Sequence, residues 1–291
     1  MKDSLQRFLF DSAPARGAHV RLDDSWREIL ARHPYPAALR DRLGELAAAG
    51  MLLAANLKFD GQLILQVQGS GPVTLLVVEI DAANRTLRAT ARWQGDIPPE
   101  TDLATLAGQG QCVLTLDPGN GQEPYQGIVG LEGGSVASLL THYMQASVQL
   151  DTRLVLAAGT DCAAGILIQR LPEGHGDEDG WPRVVQLTET LKAEELRQLA
   201  ATDILHRLYH QEDVRVFEPE AVSFACSCSR ERVGGMLKLL GREEVDSIIT
   251  EQGSVEIACE FCRQSYVFDE EDAAGMFSEP AGEDDGQATR H

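Results

Sequence analysis

Four cysteines near the C-terminus have a spacing that could bind a metal ion. Cys226 and Cys228 form a C-x-C pair, Cys259 and Cys262 form a C-x-x-C pair, and 30 residues separate the pairs. Two such pairs supply the four sulfurs of a tetrahedral zinc site, although the one-residue spacing is less usual. From spacing alone, four unrelated buried thiols and a purely structural zinc site are the alternatives.

The segment that carries these cysteines, residues 226–275, is short for a self-supporting fold. A four-cysteine zinc site contributes on the order of 10–16 kcal/mol of apparent binding free energy. That exceeds the whole stability of so small a fold, so removal of the metal should unfold it. Oxidation converts thiolates into disulfides, which no longer hold zinc. The cysteines could therefore form a switch between a folded and an unfolded state.

Residues 1–172, which precede this module, are predicted to form an α+β domain. Helices and strands are mixed without a regular βαβ alternation. We expect helices at 24–34, at 36–50 with Gly50 near the stop, and after the capping residue Ser135. The predicted strands are two within 63–81 joined by the turn "GSGP", and others within 87–93, 111–118, 125–133, 152–157 and 164–172.

Residues 173–225 are predicted to be an acidic, conditionally folded linker. They contain 12 acidic and 5 basic residues. Within this linker we expect a helix that begins after the capping residue Thr190. Apolar residues recur along one face of that helix: Leu196, Leu199, Ala200, Ile204 and Leu208. A helix of this size is stable mainly through the docking of such a face.

The C-terminal module should contain two helices, two strands and a tail. The helices are expected at 230–241 and 242–253, and the strands at 254–258 and 265–268. The first helix should bury one face, made of Val233, Met236, Leu237 and Leu240. Residues 276–291 lack apolar periodicity and are expected to be disordered.

Composition and charge exclude several classes of partner. The 291-residue chain has a net charge of −20 and an isoelectric point near 4.7, so we expect neither nucleic acid nor an anionic membrane as partner. No apolar run reaches membrane-spanning length, and the start "MKDSLQRFLFD" is too short for a signal peptide. A cytoplasmic location is therefore expected, where structural disulfides are rare.

The chain resembles the redox-regulated 33 kDa chaperonin family. The resemblance rests on the C-x-C and C-x-x-C pairs, on "CEFCRQSYVF", on "QRLP" at 169–172 and on the "KAEEL" helix before the cysteines. It implies an ATP-independent holdase with one zinc ion (Zn²⁺) per chain in the reduced, inactive state. Oxidative stress then releases zinc, forms two disulfides, unfolds the linker and allows binding of unfolding clients, commonly as a homodimer. Carried over, the ligands and redox cysteines are Cys226, Cys228, Cys259 and Cys262, paired as Cys226–Cys228 and Cys259–Cys262.

Two other function classes share parts of this pattern. A zinc-ribbon interaction module would use the same cysteines, but residues 226–275 carry 11 acidic and 5 basic residues, the wrong sign for nucleic acid. A thiol–disulfide oxidoreductase would use "CEFC", but that motif normally opens a helix, whereas strand-like segments surround it here. No catalytic residue is expected.

Other residues with potential chemistry have simpler interpretations. Cys112 and Cys162 are predicted to be small buried side chains within strands, with an accessory redox role as the alternative. His206 and His210 share a helix face, but "HRLYH" lacks the glutamate of a metalloprotease motif, so a solvated pair is expected.

Overall fold

The computed structural model describes residues 3–57, 59–99, 101–131, 134–172, 177 and 179–277. The chain forms two compact units, of which the first ends at Cys226 and the second begins at Ser227. The strands of the described residues are β1 (Ser4–Phe10), β2 (Ala15–Leu22), β3 (Gln62–Gly69), β4 (Val73–Asp81), β5 (Thr86–Trp93), β6 (Gly110–Asp117), β7 (Tyr125–Gly130), β8 (Thr152–Ala158), β9 (Ala163–Arg170), β10 (Val214–Val216), β11 (Glu220–Ala221), β12 (Ser223–Phe224), β13 (Val255–Ala258) and β14 (Ser265–Phe268). The helices are α1 (Asp24–Leu30), α2 (Ala37–Asn56), α3 (Leu103–Ala107), α4 (Val136–Ala146), α5 (Gly180–Glu189), α6 (Ala193–Gln198), α7 (Ala201–Tyr209), α8 (Arg230–Leu240), α9 (Arg242–Gln252) and α10 (Glu270–Phe277).

The first unit contains two six-stranded sheets. Sheet A has the order β10-β1-β2-β9-β8, with β11 also paired to β1. Sheet B has the order β12-β5-β4-β3-β6-β7, in which β12 runs parallel to β5. The main core combines side chains from both sheets and from α1, α2 and α4, which confirms the predicted α+β class.

The long helix α2 packs against strands of both sheets. It comes so close to sheet A that a Cβ atom on Gly44 would lie 2.5 Å from the Cβ of Ala158. The predicted stop at Gly50 was wrong, because the helix continues to Asn56. The apolar run that follows this glycine, including Leu52, is buried in the core and extends the helix.

Most other predicted elements of the first unit are confirmed. The "GSGP" turn joins β3 to β4, and Ser135 caps α4 through a capping box. The strands β1 and β2 and the short helix α3 were not predicted. The sequence of β1 does not alternate between apolar and polar residues. That of β2 alternates from Ala18 to Leu22, but its polar residues His19 and Arg21 are buried.

The linker contains three helices where one was predicted. Thr190 was expected to begin a helix, but it lies at the C-terminal end of α5. The chain then breaks again between α6 and α7, where Leu199 and Ala200 have extended backbone conformations. Each short helix thereby turns its own apolar residues toward sheet A. Residues 173–176 and 178 of the acidic connector lie outside the described residues.

The second unit holds α8, α9, the β13–β14 hairpin and α10 around a small core. Gly241 ends α8 as predicted. Val233 and Leu237 are buried, but the prediction for Met236 and Leu240 was wrong, since both are more than half exposed. The helix α10 was not predicted, and its last two residues fall in the range assigned to the tail. Residues 278–291 lie outside the described residues.

Within the part of the chain that the structure describes, no helix is long and apolar enough to cross a bilayer.

Candidate metal centre

The structure brings the four predicted cysteines together. The four sulfur atoms of Cys226, Cys228, Cys259 and Cys262 all lie within 4.8 Å of one another. The sulfurs of Cys228 and Cys262 are 3.3 Å apart, and all four residues are free thiols with intermediate exposure. Among the described residues, this is the single group of three or more ligating side chains that could hold a metal ion.

Local backbone structure positions each pair. Cys259 and Cys262 lie in the turn between β13 and β14, where the amide of Arg263 donates to the carbonyl of Cys259 at 2.8 Å. Arg263 has a φ of 62°, which lets the chain reverse within four residues. After the C-x-C pair, the side chain of Ser229 accepts a hydrogen bond from the amide of Arg232 and begins α8.

The spacing of the sulfurs fits a tetrahedral metal. Zinc–sulfur bonds of about 2.3 Å place the sulfurs of a tetrahedral site about 3.8 Å apart. The observed cluster, within 4.8 Å, needs only small side-chain adjustments to reach that geometry. Four thiolates are soft ligands, which suit zinc and exclude magnesium and calcium.

The side chains of Arg88 and Tyr266 donate hydrogen bonds to sulfurs of the cluster. The Arg88 guanidinium lies 3.4 Å from the sulfur of Cys226 and also binds Glu79 at 2.6 Å. The hydroxyl of Tyr266 lies 3.2 Å from the sulfur of Cys228. This hydrogen bond, with some burial, raises the pKa of Tyr266 to about 12, so the phenol keeps its proton and remains a donor. Such donors stabilise negative charge on ligating sulfurs.

Sequence reasoning missed both donors. Tyr266 follows "CEFC" closely on a strand, and that proximity was an available signal. Arg88 lies on β5, far from the cysteines in sequence, so nothing in the sequence pattern pointed to it. It comes near Cys226 because β12 pairs with β5 immediately before that cysteine.

The other residues considered from sequence lie apart from the cluster. Cys112 and Cys162 are buried, at 1% and 0% exposure, as predicted. Cys112 lies in β6, but the prediction that Cys162 lies within a strand was wrong, because it lies in the turn between β8 and β9. Burial raises the pKa of Cys112 to about 12 and that of Cys162 to about 11, so both remain protonated thiols at neutral pH. His206 and His210 are exposed, with ring centroids 6.1 Å apart.

Comparison with known families shows which proteins this chain is similar to. The family model described as "Hsp33 protein" matches residues 3–269, which span nearly all of the described chain. The chain belongs to the Hsp33 family. The 33 kDa chaperonin of Chromobacterium violaceum is 59% identical over 276 residues, which cover 94% of each chain. The 33 kDa chaperonin of Neisseria meningitidis serogroup B is 51% identical, covering 95% of this chain and 92% of its own.

A solved structure shows the same fold. The crystal structure of the 33 kDa chaperonin, a heat shock protein 33 homologue, from Thermotoga maritima matches with a TM-score of 0.83. It covers 95% of this chain and 98% of its own, at 22% identity. Hsp33 membership identifies the chain as a molecular chaperone, and the close cysteines are a site that could bind a metal.

Proposed function

We propose that this chain is a redox-regulated, ATP-independent holdase that binds unfolding proteins under oxidative stress. The observation that carries the proposal is a linker that covers an apolar face of sheet A and ends at the first cysteine of the cluster. In the reduced state the four cysteines hold one zinc ion and the linker stays docked. Oxidation releases the ion and frees the linker, so that apolar surface becomes available to clients.

The linker helices form a second apolar core with sheet A. Leu196, Ile204 and Leu208 are each at most 3% exposed in the linker. They pack with strand residues on the face of sheet A opposite the main core: Phe8, Phe10, Ala157, Ala164, Ile166 and Ile168. Release of the linker would therefore expose two complementary apolar surfaces. Contiguous surfaces of this kind are typical of sites that bind other proteins.

Surface ion pairs add little to this docking. Arg183 pairs with Glu212 at 2.6 Å within the linker, and Arg197 pairs with Asp161 of the strand layer at 2.8 Å. The partly exposed pair of Arg197 and Asp161 contributes about 0–1 kcal/mol, and the pair of Arg183 and Glu212 lies within the linker itself. The linker is held by the burial of its apolar side chains and by the backbone pairing of β10 and β11 with β1, and it can open without loss of the main core.

The cysteines supply the trigger. When bound, zinc would fix four thiolates at one point and stabilise the second unit. Hydrogen peroxide oxidises each cysteine pair by two electrons, forming one S–S bond while the oxidant becomes two waters. Disulfides at Cys226–Cys228 and Cys259–Cys262 would leave no thiolate to hold the ion. Because the residue before Cys226 bonds β5 through its amide, at 3.1 Å from the carbonyl of Leu87, a change at this cysteine acts directly on the end of the linker.

The remaining features of the proposal follow from the same scheme. Client binding needs no nucleotide and no catalytic residue, and the names of the relatives agree with a chaperone that is not an enzyme. We place the protein in the cytoplasm, active as a homodimer, without nucleic acid or membrane as partner. Its net charge of −20 would keep complexes with aggregation-prone clients in solution.

Light scattering of a heat-unfolding client tests the proposal. Oxidised, zinc-free protein should suppress aggregation near a one-to-one ratio, whereas reduced, zinc-loaded protein should not. A chromogenic chelator should detect zinc release in step with the loss of four thiols. Cys112→Ala is the matched control, because it removes a thiol outside the cluster and should leave zinc release unchanged. Equal scattering with the oxidised and the reduced protein would show that the assignment is wrong.

A further inference from the structure

The linker also covers the outer edge of β1 in sheet A. Downstream of α7, β10 and β11 pair with β1 in antiparallel register, with Phe8 opposite Val216 and Leu5 opposite Glu220. The amide of Phe217 donates to the carbonyl of Arg7 at 3.0 Å. Without residues 214–221, β1 would be an edge strand.

The backbone of β1 defines which groups face this edge. In an antiparallel strand, the N–H and C=O of one residue point to the same side, and the side alternates along the chain. Because the carbonyl of Arg7 bonds β10, the polar groups of Leu5, Arg7 and Leu9 point outward. The amide of Asp11 continues the series, at 2.9 Å from the carbonyl of Asp213. Departure of the linker would leave this row of donors and acceptors without protein partners.

The side chains beside this edge form an apolar surface with the same register. Phe8 and Phe10 lie opposite Val216 and Val214, so all four side chains share one face of the sheet. Phe10 packs edge-to-face on Tyr209 of the linker, with ring centroids 4.9 Å apart. Val214 packs against the same apolar cluster. An added strand with apolar residues at alternate positions would thus gain both backbone hydrogen bonds and apolar contact.

We propose that the outer edge of β1 is a client-binding site, where an extended segment of an unfolding polypeptide adds as an antiparallel strand in place of residues 214–221. The inference rests on the proposed function, because the linker must leave first. The occupant is an unfolded chain with alternating apolar residues, since Val214 and Val216 alternate with Arg215 in β10, which now pairs with this edge. Backbone pairing is indifferent to most of the client's sequence, and a folded protein has few backbone groups free to take part.

A proline substitution at Arg7 tests the site. Proline removes the outward amide of residue 7 but none that faces β2. Arg7→Ala is the matched control, because both variants lose the 2.6 Å ion pair between Arg7 and Glu220 and only one loses the amide. The probe is reduced, carboxymethylated α-lactalbumin, which stays unfolded, bound to the oxidised full-length chain. We expect Arg7→Pro to bind about ten-fold more weakly than Arg7→Ala, which should match the parent.

Hydrogen exchange of the oxidised parent chain gives a second, mutation-free readout. The amides of Arg7 and Leu9 should exchange rapidly without the probe and become protected with it. If Arg7→Pro fails to fold, this measurement still tests whether the probe binds at the edge of β1.

Three results would overturn the site. The first is that Arg7→Pro and Arg7→Ala bind the probe equally well and that the β1 amides exchange freely in the complex with the probe. The second is protection of β1 without probe in a particle of twice the mass, which would mean that a second copy occupies the edge. The third is no probe binding by the oxidised parent chain, which overturns the proposed holdase function as well and is thereby distinct from the first two.

Discussion

The two compact units differ sharply in how much apolar core each contains. Among the described residues, the main core of the first unit comprises 42 buried side chains, whereas that of the second comprises 7. On α8 of the second unit, Leu239 is 90% exposed although it lies two residues from buried Leu237. The first unit can thus stabilise itself by burial of apolar surface, whereas the second needs another source of stability.

This difference explains which unit can respond as a whole to a change at one site. A fold that depends on its own core responds weakly to the loss of any single bond. A fold that depends on one metal centre loses its main stabilising interaction when that centre changes. The following predictions test this division, in order of decreasing effect.

Zinc removal should produce the largest effect, which should fall on the second unit and on the linker that precedes it. A chelator, or the Cys259→Ser substitution, should unfold residues 227–277 while strands β1 to β9 stay paired, because on the order of 10–16 kcal/mol of binding free energy is lost. Hydrogen exchange with peptide-level resolution would measure the two units separately. Protection of the second unit that survives chelation would contradict its dependence on metal.

Truncation of the main core should produce the opposite pattern. Leu43 on α2 is fully buried, so Leu43→Ala should lower the free energy of unfolding of the first unit by about 2–5 kcal/mol. The zinc content of the reduced protein should stay the same. Urea denaturation followed by near-ultraviolet circular dichroism, with zinc measured in parallel, checks both expectations. Loss of zinc before the first unit unfolds would show that the two units are not independent.

Acid should weaken the first unit through His19. Burial, with a smaller effect of nearby Arg21, lowers the pKa of this histidine to about 4. The neutral form is favoured in the folded state, so the stabilisation is complete above the unfolded pKa of about 6.5 and is lost as pH falls toward 4. Between pH 7 and pH 5, the loss attributable to His19 should be about 2 kcal/mol.

The variant His19→Met isolates this effect, because methionine does not titrate. Urea denaturation at the two pH values should show a smaller decrease in unfolding free energy for the variant than for the parent chain. The same decrease in both would mean that other groups cause the acid sensitivity.

The smallest effect is expected at the exposed leucine of α8. Leu239→Ala should change the stability of the zinc-loaded second unit by no more than about 0.5 kcal/mol. Leu237→Ala is its matched reference, since Leu237 is 2% exposed in the small core and its truncation should cost about 2 kcal/mol or more. Thermal unfolding of the zinc-loaded protein compares the two. Equal effects would indicate that Leu239 is covered in solution.

The sequence predicted the elements that a local hydrophobic pattern or a capping residue defines. Strand β3 alternates between buried and less buried positions, and Ser135 and Gly241 mark helix ends by local chemistry. It failed for β1 and β2, which are covered on one face by α2 and on the other by the linker. His19 and Arg21 are buried there, although apolar/polar alternation would place both side chains on a solvent-exposed face.

The candidate site also has residues that the sequence predicted and others that it did not. The four cysteines were identifiable because ligand type and spacing are encoded locally. Arg88 was not, because its approach to Cys226 depends on the parallel pairing of β12 with β5, a contact between distant parts of the chain. The division of the linker into three helices was missed for a related reason. The helices end where docking on sheet A requires it, although the residues there have ordinary helix propensity.

The pairing of β1 with residues 214–221 has a consequence for biosynthesis. β1 is the first strand to leave the ribosome, but β2 must wait for β9 and the outer edge of β1 must wait for β10 and β11. At roughly 5–20 residues per second, translation leaves that edge without its strands for about 10–40 s. Such distant pairing also slows folding once the chain is complete. Each newly made copy therefore passes through an interval in which it is itself an unfinished sheet, at risk of the same strand-to-strand association that threatens an unfolding client.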